Sequence, residues 1–180
     1  MAWRSHGTSN ATLIENLTRN GLITNPRVAT AMRAVDRAHF APSQPYRDTP
    51  QSIGHAATIS APHMHASAAE SLLSYLTPGA SVLDIGSGSG YLTCVLAQLV
   101  QPGGRVVGVE HIEALREMGE RNTGKSEEGK RLLGEGGLRF VKGDGRLGWR
   151  EGAPWDAIHV GAAAAGFQQE LVDQLRAPGR

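Results

Sequence analysis

Apolar positions follow a helical rhythm at the start of the chain and then change character. In "NATLIENLTRNG", Leu13, Ile14 and Leu17 share one stripe, which predicts a helix with Asn10 as its N-cap and Gly21 as its stop. In "NPRVATAMRAV", Val28, Met32 and Val35 recur at helical spacing behind Asn25 as cap and Pro26 at the first helical position. Pro42, Pro45 and Pro50 then break the pattern, so "APSQPYRDTPQ" reads as an irregular surface connection. From about residue 61, amphipathic stretches alternate with short apolar runs. The helix candidates are 62–76, 91–100, 111–122 and 167–175; the strand candidates are 81–85, 105–109, 138–142 and 156–160. The polar, glycine-rich "TGKSEEGKRLLGEGG" before the third strand reads as a mobile insertion. Strand–helix alternation with mostly apolar strands predicts an α/β fold, a parallel sheet with helices on both faces.

Composition narrows the class without naming a chemistry. With 180 residues, 40% hydrophobic and 19% charged, the chain suits one soluble domain, 1–180, with a helical and loop extension (1–60) and an α/β core (61–180). Lys+Arg 18 against Asp+Glu 17 leaves a net charge of +1 and no basic run for nucleic acid. No apolar run is long enough to span a membrane, and "MAWRSHGTSN" lacks the apolar core of a signal peptide. One cysteine, Cys94, excludes an internal disulfide framework. These features predict a cytoplasmic protein.

The chemistry concentrates at strand ends. In "VLDIGSGSGYL", Gly86, Gly88 and Gly90 permit a tight turn and let a ligand lie on bare backbone. A dinucleotide fingerprint would need glycine where Tyr91 stands, so the loop is G-x-G-x-G, preceded by Asp84. Glu110 ends the next strand, where a carboxylate can accept from both ribose hydroxyls. "GDGR" follows the third, placing Asp144 to meet an adenine amino group. Three acids at adjacent strand ends suit a ligand with a ribose, an adenine and a cation but no phosphate, such as S-adenosylmethionine. Ser60 and Pro62 in "TISAPHMHA" read equally as a helix start, with Ser60 as N-cap. His63 and His65, two apart, point to opposite sides of a helix and make a poor metal pair. His159 and Cys94 read as core residues.

"VLDIGSGSGYL", "VVGVEHI", "VKGDGRLG", "APWDAIHVGAAA" and "PQSIGHAATISAPHMHA" together resemble the protein-L-isoaspartate (D-aspartate) O-methyltransferases, eukaryotic branch, over nearly the whole chain. The glycine loop alone indicates only a class I, Rossmann-like methyltransferase; "TISAPHMHA" is far narrower. The resemblance implies methyl transfer from S-adenosyl-L-methionine to the carboxylate of L-isoaspartyl and D-aspartyl residues in damaged proteins, with S-adenosyl-L-homocysteine as product and repair through a succinimide. It implies Ser60 as the active-site serine. The cofactor would be bounded by Asp84 and the loop Gly86, Ser87, Gly88 and Gly90, with Ile53 and His65 lining it. Glu110 would hold the ribose, His111 would flank the adenine, and Asp144 and Gly145 would close that end. No general base is required, because the attacking carboxylate is ionised at neutral pH (carboxyl pKa about 4).

Three departures stand beside the resemblance. His55 and Ala56 replace an aromatic–polar pair and would alter the site wall, and "AAAAGF" replaces Ala-Pro at Ala165 and Gly166. The family continues beyond "DQLRAPGR" into three more strands; the implied sheet keeps four, ordered 3-2-1-4, with the fourth as a partly unpaired edge. That edge predicts poor solubility or a partner covering it; a monomer is expected unless the exposed edge associates. A different class I substrate, or a truncated form that binds without turnover, are the competing expectations.

Overall fold

The structure, a computed structural model, describes residues 5–164, 166 and 168–180. Two helices open it, α1 (Asn10–Arg19) and α2 (Pro26–Ala34). The α1 cap is Ser9 rather than Asn10: its hydroxyl accepts from Thr12 N–H while Thr12 Oγ1 accepts from Ser9 N–H. Asn10 instead is buried, with its amide donating to the carbonyls of Met32 and Arg33 at the end of α2. Asn25 and Pro26 start α2 as the sequence predicts.

The segment before Pro50 is irregular, but Gln51 begins a hairpin that the sequence reading missed. Strands β1 (Gln51–Gly54) and β2 (Ala57–Ile59) pair antiparallel across a two-residue turn, His55-Ala56, with φ of 52° and 55°. Such turns need positive φ at both positions and normally take Asn-Gly. His55 and Ala56 therefore sit exposed at a hairpin tip. They line neither of the two cavities described below.

Helix α3 (Pro62–Leu72) follows, shorter than the expected 62–76 because the chain turns at Leu73–Tyr75. The core then alternates: β3 (Ser81–Ile85), α4 (Tyr91–Leu99), β4 (Arg105–Glu110), α5 (Glu113–Thr123), α6 (Glu127–Gly134), β5 (Leu138–Lys142), β6 (Ala157–Val160) and α7 (Gln169–Val172). The supposed insertion is α6, capped by Ser126 Oγ on Gly129 N–H and anchored by buried Leu132. Gly129 signals close packing here and not mobility: a Cβ would fall 2.0 Å from the carbonyl oxygen of Thr123. The expected final helix 167–175 contracts to α7; Phe167, like Ala165, lies outside the described residues.

The four core strands are parallel in the order β5-β4-β3-β6, the 3-2-1-4 arrangement. One face carries the main core, where Val82, Val106, Leu138 and Phe140 meet Leu13, Met32, Leu72, Leu96, Leu115 and Leu132 of α1 to α6. The other face is thinner: Leu83, Ile85, Val107, Val109 and Val141 pack under Trp155, Trp149 and Leu171 of α7. The outer side of β6 is partly paired, since Ile158 N–H donates to Arg180 O at 2.7 Å and Trp155 bridges Leu175. Parallel strands align their C-terminal ends, and that places Asp84, Glu110 and Asp144 along one rim.

Candidate active site

The glycine loop joins β3 to α4 through three left-handed residues, Gly86 (φ 78°), Gly88 (φ 51°) and Gly90 (φ 87°). Gly86 and Ser87 donate backbone N–H to Val109 O, while Gly88 N–H donates to Glu110 Oε2 at 3.1 Å. The other Glu110 oxygen accepts from the N–H groups of His111 (2.8 Å) and Ile112 (3.1 Å). Glu110 is thus buried and locked by three backbone donors. Its carboxylate is held rigid with acceptor capacity left over.

Two adjoining cavities share Gly86 as a wall. The smaller, about 290 Å³, is lined by Ser60, His65, Asp84, Gly86, Ser87, Gly88, His159 and Gly161, among others. The larger, about 1130 Å³, runs past His111, Asp144 and Gly145 along the thin face of the sheet. The expected site residues therefore separate into a Ser60 end and an Asp144 end, except Ile53, Gly90 and Glu110, which line neither cavity. Ile53, from the hairpin, reaches over the loop; its Cδ1 lies 3.4 Å from where a Gly88 Cβ would be. Gly90 lines neither cavity. Its glycine is demanded by packing, since a Cβ would meet Phe140 Cζ at 2.9 Å and Gly119 Cα at 3.0 Å.

Ser60 is not a helix cap, correcting that sequence reading. Ala61 holds the cap position of α3 without a side-chain bond, and Pro62 at the first turn has no N–H to satisfy. The Ser60 carbonyl accepts from Arg37 Nη2 at 2.7 Å, which fixes the backbone of a residue that lines the smaller cavity. Arg37, fully buried, also stacks over Tyr91 at 5.0 Å and approaches His65 Nδ1 at 3.3 Å. Arginine only donates, so His65 Nδ1 accepts and its Nε2 carries the proton. Burial, then the charge of Arg37, holds the His65 pKa well below its ordinary value, with His159 and His63 adding to the effect. His63 turns the other way. Its ring Nδ1 lies 2.7 Å from buried Asp48 Oδ1, which also accepts from the His63 backbone N–H. Among the described residues no group of three or more His, Cys, Asp or Glu converges to hold a metal.

Asp84 is buried beneath the loop, and both oxygens are engaged. One accepts from Thr93 Oγ1 at 2.6 Å and the other meets His159 Nδ1 at 2.8 Å. His159, read from the sequence as a core histidine, is instead a cavity residue. The sequence carried no signal for this; only the register of β3 with β6 sets Asp84 beside His159. At the far end, Asp144 is gripped by Arg146, whose hydrogen bonds bring the carboxyl down to about 2. Arg146 engages both Asp144 oxygens, and Asp144 lines the larger cavity with His111 and Gly145. Cys94 is buried against Thr123, and burial pushes its thiol up to about 12, so it stays unreactive.

The donor set fits a nucleoside-sulfonium. Ser87 Oγ, in the loop, is buried with no protein partner. The bare backbone at Gly86 and Gly88 forms a cradle, where a Cβ at Gly86 would press on Ala162 at 3.3 Å. Glu110 keeps acceptor capacity at the rim, and Asp144 lines the larger cavity.

Comparison with known proteins agrees. The family described as Protein-L-isoaspartate(D-aspartate) O-methyltransferase (PCMT) matches residues 8–180. A Caenorhabditis elegans protein-L-isoaspartate O-methyltransferase is 49% identical over 180 residues, covering 100% of this chain and 79% of the relative. A Triticum aestivum protein of the same name is 49% identical over 95% of this chain and 75% of its own length. A solved Plasmodium falciparum structure, described as a protein-L-isoaspartate O-methyltransferase in complex with S-adenosyl-L-homocysteine, superposes with a TM-score of 0.89 at 35% identity. It covers 96% of this chain and 82% of its own. The chain belongs to the protein-L-isoaspartate (D-aspartate) O-methyltransferase family.

Proposed function

We propose that this chain transfers a methyl group from S-adenosyl-L-methionine to the free carboxylate of L-isoaspartyl, and D-aspartyl, residues in damaged proteins. The observation that carries the reading is Ser60, outside the cap position of α3, lining a cavity beside the glycine loop. S-adenosyl-L-methionine, when bound, supplies an electrophilic methyl on a sulfonium.

The chain's own residues hold and aim. Glu110, locked by backbone donors, is assigned the ribose hydroxyls; Asp144 and Gly145 are assigned the adenine edge, with His111 alongside. Gly86, Ser87 and Gly88 present backbone and one hydroxyl to the ligand, under the cover of Ile53. Ser60 Oγ–H and the neutral Nε2–H of His65 donate toward an entering carboxylate, and alignment rather than proton abstraction lowers the barrier. Asp84 supports the site from beneath through Thr93 and His159.

Residues 1–60 and 61–180 are assigned to one working domain, supported by a continuous core from Leu13 through Leu96 to Val106. No helix among the described residues is long and apolar enough to cross a membrane. We place the protein in the cytoplasm as a monomer acting on isoaspartyl proteins and not on nucleic acid, which cell fractionation and sedimentation would check. The functional test is a labelled methyl donor with an isoaspartyl peptide and its normal aspartyl isomer. Label on the isoaspartyl peptide alone is expected. Equal label on both, or label on neither, contradicts the proposal.

A further inference from the structure

His159 and Asp84 lie side by side across the β3–β6 pair, with Nδ1 2.8 Å from Asp84 Oδ1. A carboxylate only accepts, so Nδ1 of His159 carries a proton in either charge state. The nitrogen left for a ligand is Nε2. The ring is 21% exposed and lines the same cavity as Ser60 and His65.

The two cavity histidines are held in opposite senses. His65, fixed by Arg37, is a neutral donor whose charge is suppressed by burial and by that guanidinium. His159 instead hydrogen-bonds to a carboxylate, Asp84. Asp84 is 1% exposed, and His159 is its one ion-pair partner among the described residues. A substrate carboxylate brings a second negative charge beside Asp84, against a single positive charge on a bound sulfonium. With a neutral His159 the assembly keeps one net negative charge; with an imidazolium it is neutral. In a site of low dielectric the neutral set is favoured.

We propose that His159 recognises the substrate carboxylate: it takes up a proton from solvent as the carboxylate enters, and donates Nε2–H to one carboxylate oxygen. The second oxygen stays free to attack. The groups facing the ring are Asp84 from β3, Thr93 behind it from α4, and His65 from α3, with Arg37 and His63 beyond. Once the carboxylate has become an ester, the charge that held the second proton is gone. The ring returns it to solvent and the neutral product loses its anchor. This inference rests on the functional reading above.

The test uses the full chain saturated with S-adenosyl-L-homocysteine and labelled with nitrogen-15 at histidine. An isoaspartyl peptide is compared with the same peptide carrying an α-carboxamide in place of the carboxylate. The His159 ring resonances are expected to move to imidazolium values with the carboxylate peptide only. A neutral ring in both complexes, or the same shift in both, overturns the proposal. In turnover, His159→Asn keeps a donor for Asp84 but lacks the Nε2 position. A lost charge-assisted hydrogen bond is expected to raise KM for the peptide about 10- to 100-fold. Affinity for S-adenosyl-L-homocysteine is expected to stay unchanged, because a merely structural role would weaken both. An unchanged KM overturns the proposal. Failure of the wild-type chain to methylate the isoaspartyl peptide would instead count against the functional reading.

Discussion

Ser60 shows how one hydroxyl separates folding from function. Its backbone is pinned by Arg37 Nη2 while Ala61 occupies the cap position, so the side chain carries no structural bond. Ser60→Ala is therefore expected to reduce turnover at least about tenfold, the scale of a lost hydrogen bond to a charged group. The melting temperature is expected to stay within measurement error of wild type. A parallel loss of stability, near the ~1 kcal/mol of a deleted cap, would return the residue to a structural role. The glycines and acids stood out because each sits in a short motif at a strand end, whereas Ser60 read from its own neighbours as a helix cap and drew a site role only from the family resemblance. Arg37 and His159 were not. Arg37 lies in "VDRAHF", which carries no chemical motif, and its importance appears only when α2's continuation folds beneath the Ser60 loop. His159 needed the pairing of β3 with β6 before its neighbour Asp84 became visible.

At the scale of elements, small junctions decide where the helices sit. Glu70 of α3 receives the N–H groups of Thr24 and Asn25 and the Thr24 hydroxyl, and so fastens the start of α2 to the core. Partial burial pushes its carboxyl up, but the hydrogen bonds from Thr24 and Asn25 outweigh this and leave it below the ordinary value. A depressed folded pKa means the contribution is complete above the ordinary glutamate value of about 4.3. It is lost as pH falls through the lower folded value. Glu70→Ala is expected to cost about 1 kcal/mol near neutral pH, discounted for solvent access, and progressively less in acid. Denaturant melts at both pH values check this; an equal cost in acid would contradict it. Gly90→Ala is expected to cost about 2 kcal/mol or more, because its φ of 87° and its contact with Phe140 both refuse a methyl group. Circular dichroism melts would show it, and an unaffected midpoint would refute the packing role. The strands and most helices were readable from periodicity. The β1–β2 hairpin was not, because its turn uses His55-Ala56 in place of the usual Asn-Gly. Helix α6 hid because Gly129 and its polar neighbours imitate a loop until close packing against Thr123 explains the glycine.

Across the whole molecule, parallel pairing is what turns scattered residues into a site. The order β5-β4-β3-β6 brings Asp144, Glu110, Asp84 and His159 to one rim, although in the chain they span 75 positions from Asp84 to His159. The hairpin and the Ser60 loop then cap the Asp84 end, leaving the Asp144 end open along the thin face of the sheet. The proposed function has a nucleoside at one end and a carboxylate at the other meeting over Gly86. Its most direct test follows one isoaspartyl peptide through incubation with this chain and S-adenosyl-L-methionine, by mass and by chromatographic separation of isomers. The expected course is gain of one methyl group, loss of methanol to a succinimide, and partial return as the normal aspartyl peptide. A methylated normal aspartyl peptide, or an isoaspartyl peptide unchanged while S-adenosyl-L-homocysteine binds, would contradict it.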